Sequence, residues 1–547
     1  MIRLLFIFIT LLSISVAVPS LSYTYELKVA KGSEINESAI ESEPKDYSVF
    51  ENILGISGYI YKDWFLSIDL EYSNPPAFGL AYENIGSLIN GGFLERNTGS
   101  SYVKIGTLST LYGQGLSVNM YQDEAIDFDN TVYGIEGSYN INDNIKFVSS
   151  IGLGPFSYRS NPADRVSDIN SNLTLIGSGV EFFHDRSGST IQYYMIRSTT
   201  SLKPETIFKY RTFTDTSIGK DLDERLGSNC LIAQSCDIAD TTVVSYMVDL
   251  VFDTSIDDIG FFINGQWDLY EKIYGGFDNG YNFYVALYTD LFGWGMTADF
   301  KSYYSPYKVQ TIANKPTVFR EQTSTLLSRA THQFNYNNEY GVQLDLTRSL
   351  DSGLFLNINY AFSRRYRLDS IESEGLLDPS SYPFSQLYTE VSGYMFSNRL
   401  FYKFAYDNFY EYVSYHKNKH TFPLNISWVF NDNFSFGLYN EIQLTSLDYS
   451  DGTIEKNFNY HLAANLSYKG KYIVTLMNEF EDVVYSNGAP GKRNIWPGIQ
   501  LTIYPKENIQ LEVFYGSLKG GLVCANGVCA VQPGFNNGLK ALFRISF

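Results

Sequence analysis

Cysteine offers the most legible chemistry in this 547-residue chain. Its four cysteines form two close pairs, Cys230/Cys236 and Cys524/Cys529. Cys524-Ala-Asn-Gly-Val-Cys529 reads as a hairpin turning on Asn526-Gly527, a dipeptide suited to the positive-φ pair of a type I′ turn. Ala525 and Val528 then form the hydrogen-bonded pair. The cysteines face each other in the next, non-hydrogen-bonded pair, where Cα atoms sit ~4.5 Å apart, at the short end of disulfide reach. A zinc site using all four lacks the usual CxxC spacing. Disulfides at both pairs are the expectation, in outer loops of a secreted chain.

The other reactive residue types give weaker signals. Five histidines are present: His184, His332, His416, His420 and His461. His416-Lys-Asn-Lys-His420, read as an outer loop, could bind a metal or a lipid phosphate, but a solvated basic loop accounts for it more simply. His461 falls among amides on a water-facing strand face, as a hydrogen-bonding wall residue. Asp123, Glu124, Asp127 and Asp129 could offer carboxylates to Ca²⁺, yet no Asp-x-Asp-x-Asp-Gly register is met, so an unmetallated acidic loop is expected. Ser486-Asn487-Gly488 matches part of an outer-membrane phospholipase motif. No histidine precedes it within that motif's reach, and Ser-Asn-Gly is ordinary turn chemistry. No catalytic, metal or cofactor site is therefore expected.

The elements that carry these residues follow from the compartment. Arg3 precedes an apolar run from Leu4 to Ile14, and Ser20 and Ser22 supply small residues at a cleavage site. Residues 1–22 read as a signal peptide, too short in its apolar part to span a membrane, and 23–547 as one mature domain. With the leader gone, 59 acidic residues outnumber 39 basic ones, a balance that disfavours nucleic acid and anionic lipid surfaces as partners. Aromatic residues make up 16% of the chain, nearly matching the 18% that are charged. No later run reaches eighteen apolar residues, so a lipid-embedded chain must close a β-sheet to pair its backbone.

Period-two alternation supports that closure. Val342, Leu344 and Leu346 alternate with Gln343, Asp345 and Thr347; Ile509, Leu511, Val513 and Tyr515 alternate with Gln510 and Glu512. One face suits lipid and the other water. Tight turns at Asn142-Asp143-Asn144, Asp351-Ser352-Gly353, Asn431-Asp432-Asn433 and Lys506-Glu507-Asn508 alternate with longer polar segments near 155–172, 200–242, 304–335, 366–386, 411–420, 445–457, 485–494 and 517–537. The expectation is an all-β fold. It is a single transmembrane antiparallel barrel of about 24 strands (22–26), with short periplasmic turns and long extracellular loops. A propeller would show a repeat of roughly 40 residues, and none appears.

Two resemblances agree with this. Leu539, Ala541, Phe543, Ile545 and the terminal Phe547 resemble the closing strand of bacterial outer-membrane barrels, which implies recognition by the barrel assembly machinery and contact with outer-membrane lipid. Residues 105–139, with Gly113-Gln114-Gly115-Leu116, Tyr121, Asp129-Asn130 and Gly134, resemble an uncharacterised family of Bacteroidota-type outer-membrane barrels carrying a GxGL…Y…DN…G pattern. That likeness implies fold and location but no chemistry.

The alternation places Lys104, Glu136, Asp299, Lys301, Asp345, Glu441, Glu479, Glu481, Glu512, Lys540 and Arg544 on the water-facing side, an acidic excess that should enrich cations. A channel for small polar solutes is the leading function. An assembly, secretion or surface-interaction barrel with a periplasmic or surface partner is the alternative. No N-terminal plug is evident, so loops such as 200–242 or 304–335 are expected to narrow the lumen.

Overall fold

The computed structural model describes residues 21–34, 45–74, 89–123, 128–158, 169–202, 241–271, 276–304, 315–320, 324–329, 332, 338–365, 383–412, 416–525, 528–532 and 534–547. Residues 1–20 of the expected leader, the 200–242 loop beyond Leu202 and before Thr241, and Cys230, Cys236, Glu124 and Asp127 lie outside the described residues.

Antiparallel strands form one sheet of 26, of which Gln122–Asp123 and Phe128–Asp129 are two-residue pieces inside a connection. The remaining 24 close a barrel. Closure runs between the first strand, Leu21–Glu34, and the last, Phe535–Ser546, with Tyr25 opposite Ile545 and Leu27 opposite Phe543. Tyr23 and Phe547 exchange backbone hydrogen bonds at 2.7 and 2.9 Å and stack their rings at 5.5 Å. No wall strand is left with an unpaired edge, which hydrocarbon requires. The first strand begins at Leu21, two residues before the expected mature start.

Connections alternate as the sequence implies. Lys62 and Asp257 take φ of 46° and 53° in two-residue turns, and Phe292-Gly293 takes 52° and 77°, the positive-φ pair of tight hairpins. Connections at the other end are longer. The outward face carries exposed Ile135, Leu153, Leu250, Trp267, Leu476 and Ile499, the apolar band of a membrane-spanning barrel. The wall is thus that of a membrane-spanning β-barrel.

Strands extend further than the turn residues suggested. Residues 411, 412 and 416–420 are strand, where a loop was expected: strands Leu400–Tyr412 and His416–Val429 pair up to Tyr412 opposite His416. Their polar side chains still obey the pleat. Lys417 and Lys419 point inward towards the Phe409 ring, at 5.8 and 5.3 Å, while His416 and His420 bond outward Tyr410 and Tyr406. Among the described residues the one helix is the four-residue turn Thr325–Ser328.

Candidate functional site

Residues 109–131 join strands Ser101–Leu108 and Val132–Asn142, which pair directly with Ile105 opposite Ile135. The connection must therefore leave the wall and return beside its start. It does so inside the barrel. Leu108, Leu116, Val118 and Val132 are wholly buried. Leu108, Val118 and Val132 pack with inner-wall Val148, Leu173, Leu175, Ile196, Met247 and Val251. Burying such side chains contributes about 1.5–3 kcal/mol each. The inner wall here is apolar, unlike the wet face expected, because a protein segment rather than water covers it.

The residues of the GxGL…Y…DN pattern serve this insert, and its last glycine, Gly134, serves the wall beside it. Gly113 and Gly115 take φ of +55° and +81°, and a Cβ at Gly113 would lie 2.7 Å from Asn264 Oδ1. That oxygen accepts the Gln114 N–H at 3.1 Å. Asn130 accepts from the Tyr121 N–H at 2.7 Å and donates to the Asn119 carbonyl at 2.9 Å. Asp129 accepts the N–H and hydroxyl of Thr131, so this member of the acidic group holds its own turn. At Gly134 a Cβ would meet the Ile151 carbonyl at 2.0 Å. Three further bonds fix the insert to the wall: Thr110 to Glu136 at 2.5 Å, Tyr112 with Ser150 at 2.8 Å, and Ser117 to Asp249 at 2.5 Å.

A second segment, in the connection between Trp294–Tyr304 and Asn338–Ser349, also lies against the inner wall. It is held mainly by charge. Lys315 donates to Asn282 at 2.6 Å beside buried Asp268. Burial pushes the Lys315 ammonium down from its usual range, and Asp268 opposes that. Arg320 donates to Asn357 at 2.6 Å, lies 3.9 Å from Asp345 and 3.8 Å from Glu390, and covers the Tyr388 ring at 4.2 Å. Helix Thr325–Ser328 has no side-chain cap from Ser324. Glu441 of the wall replaces it, accepting the Thr325 and Leu326 N–H groups at 2.8 Å each. Those two donors would otherwise be orphaned at the helix start, where a carboxylate also meets the helix dipole favourably. Arg329 pairs with Glu479 and donates to the Lys519 carbonyl at 3.0 Å.

His332 ends this set. Its Nδ1 lies 2.6 Å from Glu411 and its Nε2 3.2 Å from Glu339, and its ring stacks on Phe384 at 4.0 Å. Burial disfavours the charged ring, but the charges and hydrogen bonds of Glu339 and Glu411 outweigh it and raise its pKa above the ordinary histidine value. Apolar contacts are fewer than in the first insert: Phe319 against Phe384 and Phe409, and Leu327 against Tyr388 and Ala405.

The charges singled out in the sequence fall around these segments unevenly. Lys301 is fully buried, bound to Glu339 at 2.6 Å and to the Thr317 carbonyl at 2.5 Å. Asp345, Glu441 and Glu479 meet the second segment as described. Lys104 donates to Ser109 at 3.3 Å and covers the Phe93 ring, and Glu136 meets the first insert. Asp299 accepts from Tyr284 at 2.7 Å. Glu481 pairs with Lys519 at 2.7 Å. Lys540, Arg544 and Glu512 lie apart, towards the closing strands: Lys540 over Phe535 at 4.5 Å, Arg544 on Glu26, and Glu512 half-buried next along its strand to Phe514. His461 sits 3.8 Å from Glu479.

Sequence reasoning missed Lys315, Arg320, Arg329 and His332 as lumenal groups, and Asp268, Glu339, Glu390 and Glu411 as their partners. The signal was available in the run of cations between 308 and 332, within an otherwise acidic chain. Elsewhere, the strand register sets Cys524 opposite Cys529. Ser486-Asn487-Gly488 forms a turn in which Ser486 accepts the Ile454 N–H at 2.8 Å. Among the described residues no three His, Cys, Asp or Glu side chains converge as metal ligands.

No family model matches the chain, and no curated protein matches it. Solved structures similar to it include the siderophore receptor PirA from Pseudomonas aeruginosa, 7% identical over 96% of this chain and 80% of that one, with a TM-score of 0.43. The copper transporter OprC is 9% identical over 96% and 80%, with a TM-score of 0.42. The translocation pore of the P pilus usher PapC is 8% identical over 96% and 99%, with a TM-score of 0.40.

Proposed function

We propose that the barrel is a channel for small polar solutes whose lumen is narrowed by two of its own connections and weakly favours cations. The observation that carries this reading is the second segment. It meets inward carboxylates on strands from Ile259–Glu271 round to Tyr472–Tyr485, a span only a lumenal segment can reach. A wall of 24 strands is wider than the 16–18 of a porin and would leak without such filling. Kinship with the Bacteroidota-type barrels belongs to the same proposal. It is supported by the way the Gly113 to Gly134 pattern builds the first insert.

Charge selectivity follows from what stays unneutralised. Glu339, Glu479 and Glu481 each have a basic partner, whereas Asp299 accepts from a tyrosine. A modest cation preference is expected, weaker in high salt. Planar-bilayer reversal potentials under a KCl gradient test it. Steady, cation-favouring conductance is the expected outcome; silence with a co-purifying protein would favour an assembly or surface-interaction barrel instead.

A further inference from the structure

We propose that the inner wall from Asp268 to Glu479 is a binding track for a multivalent organic cation, with residues 315–332 as its tethered occupant. The proposal rests on the channel reading only in placing the track where solute would pass.

The occupancy pattern supplies the argument. Five separate wall positions each receive a cation or an N–H donor from the segment: Asp268 with Asn282, Asp345 with Glu390, Glu441, Glu479, and Glu339 with Glu411. These carboxylates are spread over six strands, and no three converge among the described residues. Such spacing suits an elongated cation better than a metal ion, which needs several oxygens at one point.

The fit is also incomplete. Arg320 reaches Asp345 and Glu390 only at 3.9 and 3.8 Å, and its Nε has no hydrogen-bond partner although buried. Beside it, Asp407 Oδ1 and Asn359 Oδ1 are buried acceptors with no donor, on residues each 1% exposed. Ammonium groups with freely rotating N–H bonds could fill them, and Tyr388 offers a ring face for a cation. A soluble polyamine should therefore compete with the segment.

Spermine titrated calorimetrically into the detergent-solubilised full chain tests this without a bilayer. Neutralising the occupant with Arg320→Gln and Arg329→Gln should tighten spermine binding by about tenfold, since apparent affinity scales with the fraction of track left vacant. Asp345→Asn with Glu479→Gln should weaken it by a similar factor. In the wild-type protein, which needs no variant to fold, spermine should speed hydrogen exchange at the Thr325 and Leu326 amides by displacing them from Glu441. Unchanged affinity in the arginine variant, or slowed exchange at those amides, would overturn the proposal. So would equal binding of Mg²⁺ at matched charge. Spermine binding as expected in a non-conducting barrel would sink the channel reading alone, and conduction without spermine binding would sink the track alone.

Discussion

The described residues of 109–131 and of 315–332 both lie inside the barrel, yet they are held there by different forces. The first has no lysine, arginine or histidine and four acids; the second has Lys315, Arg320, Arg329 and His332 and a single acid, Glu321. The first packs Leu116, Val118 and Met120 into buried surroundings, and hydroxyl hydrogen bonds to Glu136, Ser150 and Asp249, not cations, tie it to the wall. The second makes ion pairs to carboxylates on strands widely separated along the chain. Apolar packing of close-fitting groups hardly responds to salt or pH. Charge pairs next to a water-filled lumen respond to both. The first insert is accordingly read as a fixed part of the wall and the second as a segment that can be displaced.

The largest expected effect tests the fixed member. Leu116→Ala removes a fully buried side chain, and such truncations cost about 2–5 kcal/mol. Hydrogen exchange of the first insert should accelerate accordingly, equally at 0.1 M and about 1 M salt. Salt-dependent loosening there would erase the distinction between the segments.

Next comes Glu441→Ala in the wall beneath the second segment. It strands two N–H donors at the start of Thr325–Ser328, one buried and one part-buried, at a cost of about 1–3 kcal/mol. Exchange at Thr325 and Leu326 should rise while the first insert is untouched. In the wild-type protein, 1 M salt should move the second segment in the same direction by a smaller amount.

How much of this could be read in the sequence depends on what faces each strand. Where lipid lies on one side and water on the other, alternation is clean. Val342 to Thr347 and Leu354 to Phe362 were legible for that reason, as was a count near 24. Leu173, Leu175 and Ile176 break the alternation because the first two face a protein segment inside and the third faces outward. That break was the available hint of an insert. The second segment left a different trace, four cationic or titratable basic residues against a single acid. A polar connection looks the same in sequence whether it points to solvent or into a wet lumen, so its direction could not be read. His416 to His420 misled for a related reason: a strand beyond the lipid has polar residues on both faces.

A pH effect of intermediate size should also separate the two segments. His332 faces Glu339 and Glu411, with Lys301 on Glu339 and Asp407, Lys417 and Lys419 near Glu411. Its raised pKa means its contribution is complete below the ordinary histidine value near 6.5. The contribution is lost as pH climbs through the raised value. Lys315, lowered by burial, acts in the opposite sense at higher pH, so the informative quantity is the difference between wild type and His332→Gln. Exchange of the second segment should accelerate with rising pH more in wild type than in the variant, after correction for intrinsic rates. Parallel profiles would show that His332 is held by its stacking on Phe384 and not by its charge.

The smallest effect is expected from the outer hairpin behind the second segment. Strand Gly521–Ala525 packs against Thr325–Ser328, and Lys519, just before it, receives Arg329 on its carbonyl. The register opposes Cys524 and Cys529, so a disulfide there would stiffen this support. The bond would close a loop of only a few residues, and loop-entropy stabilisation is smaller the shorter the loop. Reduction should therefore loosen the hairpin without unfolding the barrel, raising exchange at Leu326 slightly and leaving Leu116 unchanged. Thiol labelling of unreduced, denatured protein supplies the control. No modification is expected at Cys524 or Cys529, and labelling of both would remove the disulfide, leaving the Lys519 contact as the hairpin's remaining hold on the displaceable segment.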